Sequence, residues 1–168
     1  MKEARSLLIW NRVRQECSRI EEKLALLKAE ERELMERRRA AEQKITSIGT
    51  PSDDDIDGKI NLALAQQELW LVNKDEERFF ERRFTEESSL REKKREKEAE
   101  AKRYKAALSA DTLALYHRVI DLIPDNPVVE VRRRSCMGCY LPLSAAQMEE
   151  WERGRRLIVC GECGRILV

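Results

Sequence analysis

Glycine and proline are scarce, six and four in 168 residues, and aromatic side chains make up 5% of the chain. So few chain breakers point away from a fold of frequent reversals. With 39% of residues charged, one compact core of this size is also excluded, and the core must be thin or localised. No stretch approaches the eighteen or so apolar residues of a membrane span, and the beginning of the sequence has no signal-peptide run. Charge of one sign is not in excess either: 33 basic residues against 32 acidic leave a net charge of +1, so no global field gathers nucleic acid or an anionic membrane. The sole histidine, His117, stands far in sequence from any evident base or nucleophile and reads as a surface or packing residue. Carboxylates are spread along helices with no catalytic pair. Together these absences predict a cytoplasmic protein, not attached to a membrane, with no enzyme chemistry.

What the sequence has in abundance is Glu, Lys, Arg, Ala and Leu, the composition of long helices and coiled coils. From Trp10 a 3-4 spacing runs through Val13, Cys17, Ile20, Leu24, Leu27, Glu31, Leu34, Arg38, Ala41, Ile45 and Ile48. Ten of these twelve positions are apolar, which predicts an a/d seam buried against a partner helix and makes Cys17 a small core residue. The segment 49–58 (GTPSDDDIDG) breaks the helix and reverses the chain. A second helical stretch follows, so that helices over about 5–48 and 59–108 form an antiparallel coiled-coil hairpin occupying residues 1–110. Its second arm is the weaker. Leu62, Ala65, Leu69, Val72 and Phe79 keep the seam, Glu76 and Arg83 intrude, and 91–103 has almost no apolar content. That last stretch is expected to be mobile or covered by a partner.

Residues 111–168 obey a different regime. Ser109, Ala110 and Asp111 cap a short helix running to Ile123, the sequence PDNP over 124–127 ends it, 128–131 reads as a strand, and 144–149 as a helical turn. Two CxxC pairs, Cys136 with Cys139 and Cys160 with Cys163, are separated by twenty residues, the pattern of a four-cysteine zinc site. Two intervening residues let both sulfurs of a pair reach one ion at about 2.3 Å, and Gly138, Gly161 and Gly164 permit the tight turns this needs. Four thiolates leave no open position for water, so one structural Zn2+ is expected, supplying the folding free energy that so short a segment cannot draw from its core. A redox CxxC lacks its βαβ context and leaves the second pair unexplained. Tyr140, Trp151 and Leu157 are expected to cover the zinc knuckles. The fold class is therefore mostly α: a long antiparallel coiled-coil hairpin followed by a small α+β four-cysteine zinc ribbon.

The run Leu115, Tyr116, His117, Arg118, Val119, Ile120, then the strand, Cys136 and Cys139 around Gly138, Leu141-Pro142-Leu143, Gly154, Ile158-Val159-Cys160 and the ending Cys163 to Leu167 carry a resemblance. The chain resembles the bacterial family of coiled-coil hairpins with a C-terminal C4-type zinc ribbon, over about its last 55 residues; the hairpin matches in style. The resemblance implies a cytosolic adaptor or regulator: members are linked to the nitrogen-type alternative sigma factor, to flagellar gene control including messenger RNA binding, and to type III secretion components. This hairpin is short for the family, and 124–127 stands where a glycine-containing turn is usual.

Three further features are candidates for binding. Asp53, Asp55, Asp57 and Gly58 follow the first positions of a calcium loop, but Leu64 occupies position twelve, and the simpler reading is an acidic, capping hairpin tip. Arg132, Arg133 and Arg134, with Arg155 and Arg156, are candidate contacts for an acidic protein or for phosphates, within a surface that also carries Glu149, Glu150 and Glu152. Trp70, out of register with the seam, is a candidate anchor. The expected function is a non-enzymatic adaptor binding a protein of the transcription or secretion machinery; the alternative is an RNA- or DNA-binding regulator using the arginines. The chain is expected to be a monomer or a weak homodimer.

Overall fold

The computed structural model describes residues 2–168. Helix α1 covers Lys2–Ile48, α2 Ile56–Lys105, α3 Ala110–Leu122 and α4 Ala145–Arg153; five two-residue strands, β1 Val128–Val129, β2 Val131–Arg132, β3 Ser135–Cys136, β4 Ile158–Val159 and β5 Ile166–Leu167, complete the chain. No helix among the described residues is long and apolar enough to cross a membrane. Two long helices pack together, as the spacing predicts, and the chain divides into two compact units that cut across both. One unit is Arg19–Lys94; the other joins the chain up to Ser18 with Arg95–Val168.

In the first unit the seam is apolar where the spacing places it. Leu27, Leu34 and Ala41 of α1 and Ala65, Val72, Phe79 and Leu90 of α2 are buried, and Ile20 and Leu24 pack against them. The helices run antiparallel, since Glu30, Arg37 and Lys44 meet Arg82, Asp75 and Glu68 in descending order. The polar residues that interrupt the two sequence patterns turn out to face one another: Arg83 donates to Glu31, and Arg38 to Glu76 at 3.3 Å. Arg38 itself remains exposed, its guanidinium reaching across rather than sinking into the seam.

Helix α2 begins three residues before the expected start because Asp55 caps it, its carboxylate accepting from the Gly58 N–H at 2.8 Å. That cap matches the simpler reading of the acidic tip. Asp57 and Gly58 are helical, and among the described residues the tip carboxylates do not converge on a common point. Glycine suits position 58, where a Cβ would lie 2.2 Å from the Asp55 carboxylate. The stretch 91–103 is helical throughout, and lysines occupy two of its partly buried positions: Lys94 pairs with Glu21 at 2.8 Å in this unit.

In the second unit, Lys97 pairs with Glu16 at 2.8 Å, a contact that raises the lysine's pKa. Ser109 caps α3 by accepting from the Thr112 N–H at 3.2 Å. Glu3 in turn accepts from the Ser109 N–H at 2.6 Å, and this hydrogen bonding lowers the pKa of Glu3. Leu7 and Trp10 of α1, Tyr116 and Val119 of α3, Val128 and Ile166 form a buried cluster, with the Trp10 and Tyr116 rings 4.7 Å apart. The predicted strand over 128–131 splits at Glu130: Val129 pairs with Leu167 in one sheet and Val131 with Cys136 in another. The larger sheet has the order β1-β5-β4, with β1 parallel and β4 antiparallel to β5. Helix α4 is capped at Ser144 by a reciprocal box with Gln147 and stopped by Gly154 at φ 58.

Candidate metal centre

The four cysteines are brought together from two hairpin-like turns. The first follows β3, with the Tyr140 N–H donating to the Cys136 carbonyl at 2.8 Å; the second follows β4, with the Gly164 N–H donating to the Cys160 carbonyl at 2.9 Å. The two turns are thus local copies of one another. In both, the residue after the second cysteine takes a left-handed backbone, Gly164 at φ 70 and Tyr140 at φ 62. Gly138 allows a close approach, because a Cβ there would lie 2.6 Å from the Arg165 side chain.

All four sulfurs lie within 4.8 Å of one another, with Cys136 to Cys163 at 3.7 Å and Cys139 to Cys160 at 3.8 Å. A tetrahedral ion with metal–sulfur bonds of about 2.3 Å has edges of about 3.8 Å. The donor set therefore fits one metal ion. Cys136 and Cys160 are buried among Val129, Leu143, Met148, Ile158 and Leu167. Backbone N–H groups point at the sulfurs, that of Gly138 reaching Cys136 at 3.3 Å. Burial pushes the Cys136 thiol up to about 12. At Cys163 burial acts in the same direction, but hydrogen bonds from the backbone and side chain of Arg165 outweigh it and the thiol falls to about 7. A cation at the centre opposes the burial cost by stabilising all four thiolates.

Of the residues expected to cover this site, Trp151 packs against the sulfur-bearing cluster, while Leu157 joins the cluster around Trp10. Tyr140 does not cover it: its left-handed backbone turns the side chain outward, leaving it 75% exposed. His117 is exposed, edge-on to Tyr116.

The candidate arginines fall into two groups. Arg133 and Arg134 form the exposed turn between β2 and β3, both with positive φ, 50 and 61. Arg132, Arg155 and Arg156 instead border a groove shared with the N-terminal turns of α1. The acidic residues of α4 do not form a separate face, since Arg153 pairs with Glu149 and Arg156 with Glu150. Trp70 is exposed on α2 in the Arg19–Lys94 unit, apart in the chain from these arginines. Arg5 and Arg12, which border the same groove, had no distinguishing mark in a helix dense with charge.

No protein-family model matches the chain, and no curated protein does. Among solved structures it is similar to CT398 of Chlamydia trachomatis, at 15% identity and a TM-score of 0.42 over 99% of this chain and 91% of that one. It is also similar to HP0958 of Helicobacter pylori, at 18% identity and 0.43 over 99% and 84%. A protein of Mycobacterium smegmatis gives 14% identity and 0.46 over 96% and 85%.

Proposed function

We propose that the chain is a cytoplasmic, non-enzymatic adaptor whose four-cysteine region is a zinc ribbon and whose work is to bind a protein partner. The closed set of four sulfurs carries the reading. Tetrahedral thiolate sites suit zinc, and four protein ligands leave no position at which a water or a substrate carbonyl is activated. An ion so held fixes a small fold and presents its surface. The partner class implied by the family resemblance, a component of transcription or of type III or flagellar secretion, belongs to this proposal.

Elemental analysis tests the metal, with one zinc per chain expected, and cobalt substitution tests its ligands, with a tetrahedral all-thiolate spectrum expected. Recovery of no metal, or a cobalt spectrum with a solvent ligand, overturns the ribbon. Crosslinking of the intact chain in its native cell tests the adaptor. A chain that enriches nothing beyond its metal-stripped form is not one.

A second reading, nucleic-acid binding, is favoured by one observation: Arg133 and Arg134 occupy exposed left-handed positions that ordinarily select Asn and Gly. Retention on RNA that falls steeply with salt and is lost in Arg133→Ala supports it.

A further inference from the structure

An open groove of about 720 Å³ lies between the first turns of α1 and the outer side of the four-cysteine region. Its floor is apolar, built from Leu8 and Ile9 of α1 and from Val131, Trp151, Leu157 and Leu167. Five arginines border it, Arg5, Arg12, Arg132, Arg155 and Arg156, against three side-chain carboxylates, Glu3, Glu130 and Glu152. Two of those carboxylates are already engaged. Glu3 holds the Ser109 N–H, and Glu130 lies between Arg12 at 3.3 Å and Arg132 at 2.8 Å. Arg156 is paired with Glu150, which does not border the groove. The side chains of Arg5 and Arg155 make no hydrogen bond or ion pair among the described residues.

We propose that this groove binds a short amphipathic acidic segment of a protein partner, its apolar side chains on the floor and its aspartates or glutamates on Arg5 and Arg155. The inference rests on the adaptor reading and gives it a place and a partner chemistry. The volume falls within the range of specific binding pockets and suits a few side chains. A guanidinium at the edge of an apolar surface pairs with a carboxylate in a bidentate, partly desolvated contact, stronger than either group makes in open water. Nucleic acid fits less well. An apolar floor offers nothing to a phosphodiester backbone, and the carboxylates interrupt the positive rim where a continuous polyanion would run. Discrete side-chain carboxylates need only the unpaired arginines.

The test uses the metal-loaded full chain and three labelled amphipathic peptides of about four helical turns, each with leucine on one face and Glu, Gln or Lys on the other. Fluorescence anisotropy should show the Glu peptide bound, the Gln peptide weaker by about tenfold and the Lys peptide not bound. Arg5→Glu and Arg155→Glu should each weaken the Glu peptide by about tenfold or more, and Lys28→Glu, outside the groove, should not. Since Arg5 and Arg155 are exposed, both variants should keep the wild-type circular dichroism and metal content. On the unaltered chain, a photocrosslinker on the leucine face should label Leu8, Trp151 or Leu157. Equal binding of the three peptides, labelling elsewhere, or undiminished binding by both variants overturns the proposal. So does RNA retention lost in these two variants, which would give the groove to nucleic acid. A native partner captured equally by wild type and both variants removes the groove assignment while leaving the adaptor reading intact.

Discussion

Arg83 of α2 donates to the carboxylate of Glu31 of α1, 52 positions away, at a place in the seam where both side chains are partly buried. One heptad along, Arg38 and Glu76 repeat the pairing with the signs exchanged between the helices. The exchange matters for register. A slip of one heptad in one direction sets Glu31 opposite Glu76, and in the other sets Arg38 opposite Arg83. Each slip places like charges in a half-buried seam, so the two pairs select the observed alignment against its nearest competitors.

Replacing Glu31 and Arg83 together by leucine should therefore raise stability, on the order of 1 kcal/mol, because an apolar pair at this level of the seam no longer carries the desolvation of two charges. Glu31→Leu alone should be less stable than the double variant, since Arg83 then keeps only Glu87. Urea denaturation followed by circular dichroism at 222 nm distinguishes the two. A double variant no more stable than the single one contradicts the pairing.

The ten apolar α1 seam positions, none of them exposed, were legible from spacing alone, because a 3-4 repeat of apolar residues has one low-energy use, burial against another helix. The four cysteines were legible for a similar reason: few arrangements other than a shared metal explain two CxxC pairs. What escaped was anything set by a partner distant in sequence. Glu76 and Arg83 count as defects until Arg38 and Glu31 are placed opposite them. Residues 91–103 read as loosely held until Lys94 and Lys97 find Glu21 and Glu16. Tyr140 failed differently: an aromatic beside a metal site suggests a cover, but the turn dictates its backbone and the backbone expels the ring.

Cys136→Ser should abolish metal binding and unfold β3, β4 and α4, which hold only a small apolar cluster without it, while α1 and α2 remain helical over 19–94. Structural zinc sites contribute on the order of 10 kcal/mol at neutral pH, far beyond what that cluster replaces. Far-ultraviolet circular dichroism should keep most of its helical signal, with hydrogen exchange protection lost over 128–168. Acidification should act like the substitution, because protons compete with the metal for thiolate and affinity falls as pH falls. Unchanged protection in the substituted chain would show that residues 128–168 fold without a metal ion.

The Tyr116 hydroxyl donates to the Asn11 side-chain oxygen at 2.9 Å inside the cluster joining α1 to α3, and the Asn11 amide nitrogen has no partner among the described residues. Tyr116→Phe leaves the oxygen unpaired as well and should cost about 1–3 kcal/mol. Asn11→Leu added to it should recover part of the loss. Burial raises the Tyr116 pKa above its ordinary 10.0, so the hydrogen bond's contribution is complete below that value and is lost as pH rises through the higher folded value, where ionisation favours the unfolded chain. Thermal melts of wild type and Tyr116→Phe should therefore converge only in strongly alkaline solution.

Arg133 and Arg134 form the two-residue turn between β2 and β3 with φ of 50 and 61, and Tyr140 holds φ 62 where the matching turn uses Gly164. A left-handed backbone costs a residue with a Cβ roughly 1–2 kcal/mol, and turns of this kind favour Asn-Gly. Arg133→Asn with Arg134→Gly should accordingly stabilise the metal-loaded chain by about 1–2 kcal/mol in guanidinium denaturation, and Tyr140→Gly should do likewise at its own site. Three exposed side chains held at such a cost have no packing role that repays it. If the arginines are there to meet anions, the stabilised double variant should lose retention on RNA while it gains in midpoint. A gain in stability with retention unchanged would instead place any nucleic-acid contact elsewhere on the molecule, and a fall in midpoint would contradict the turn geometry itself.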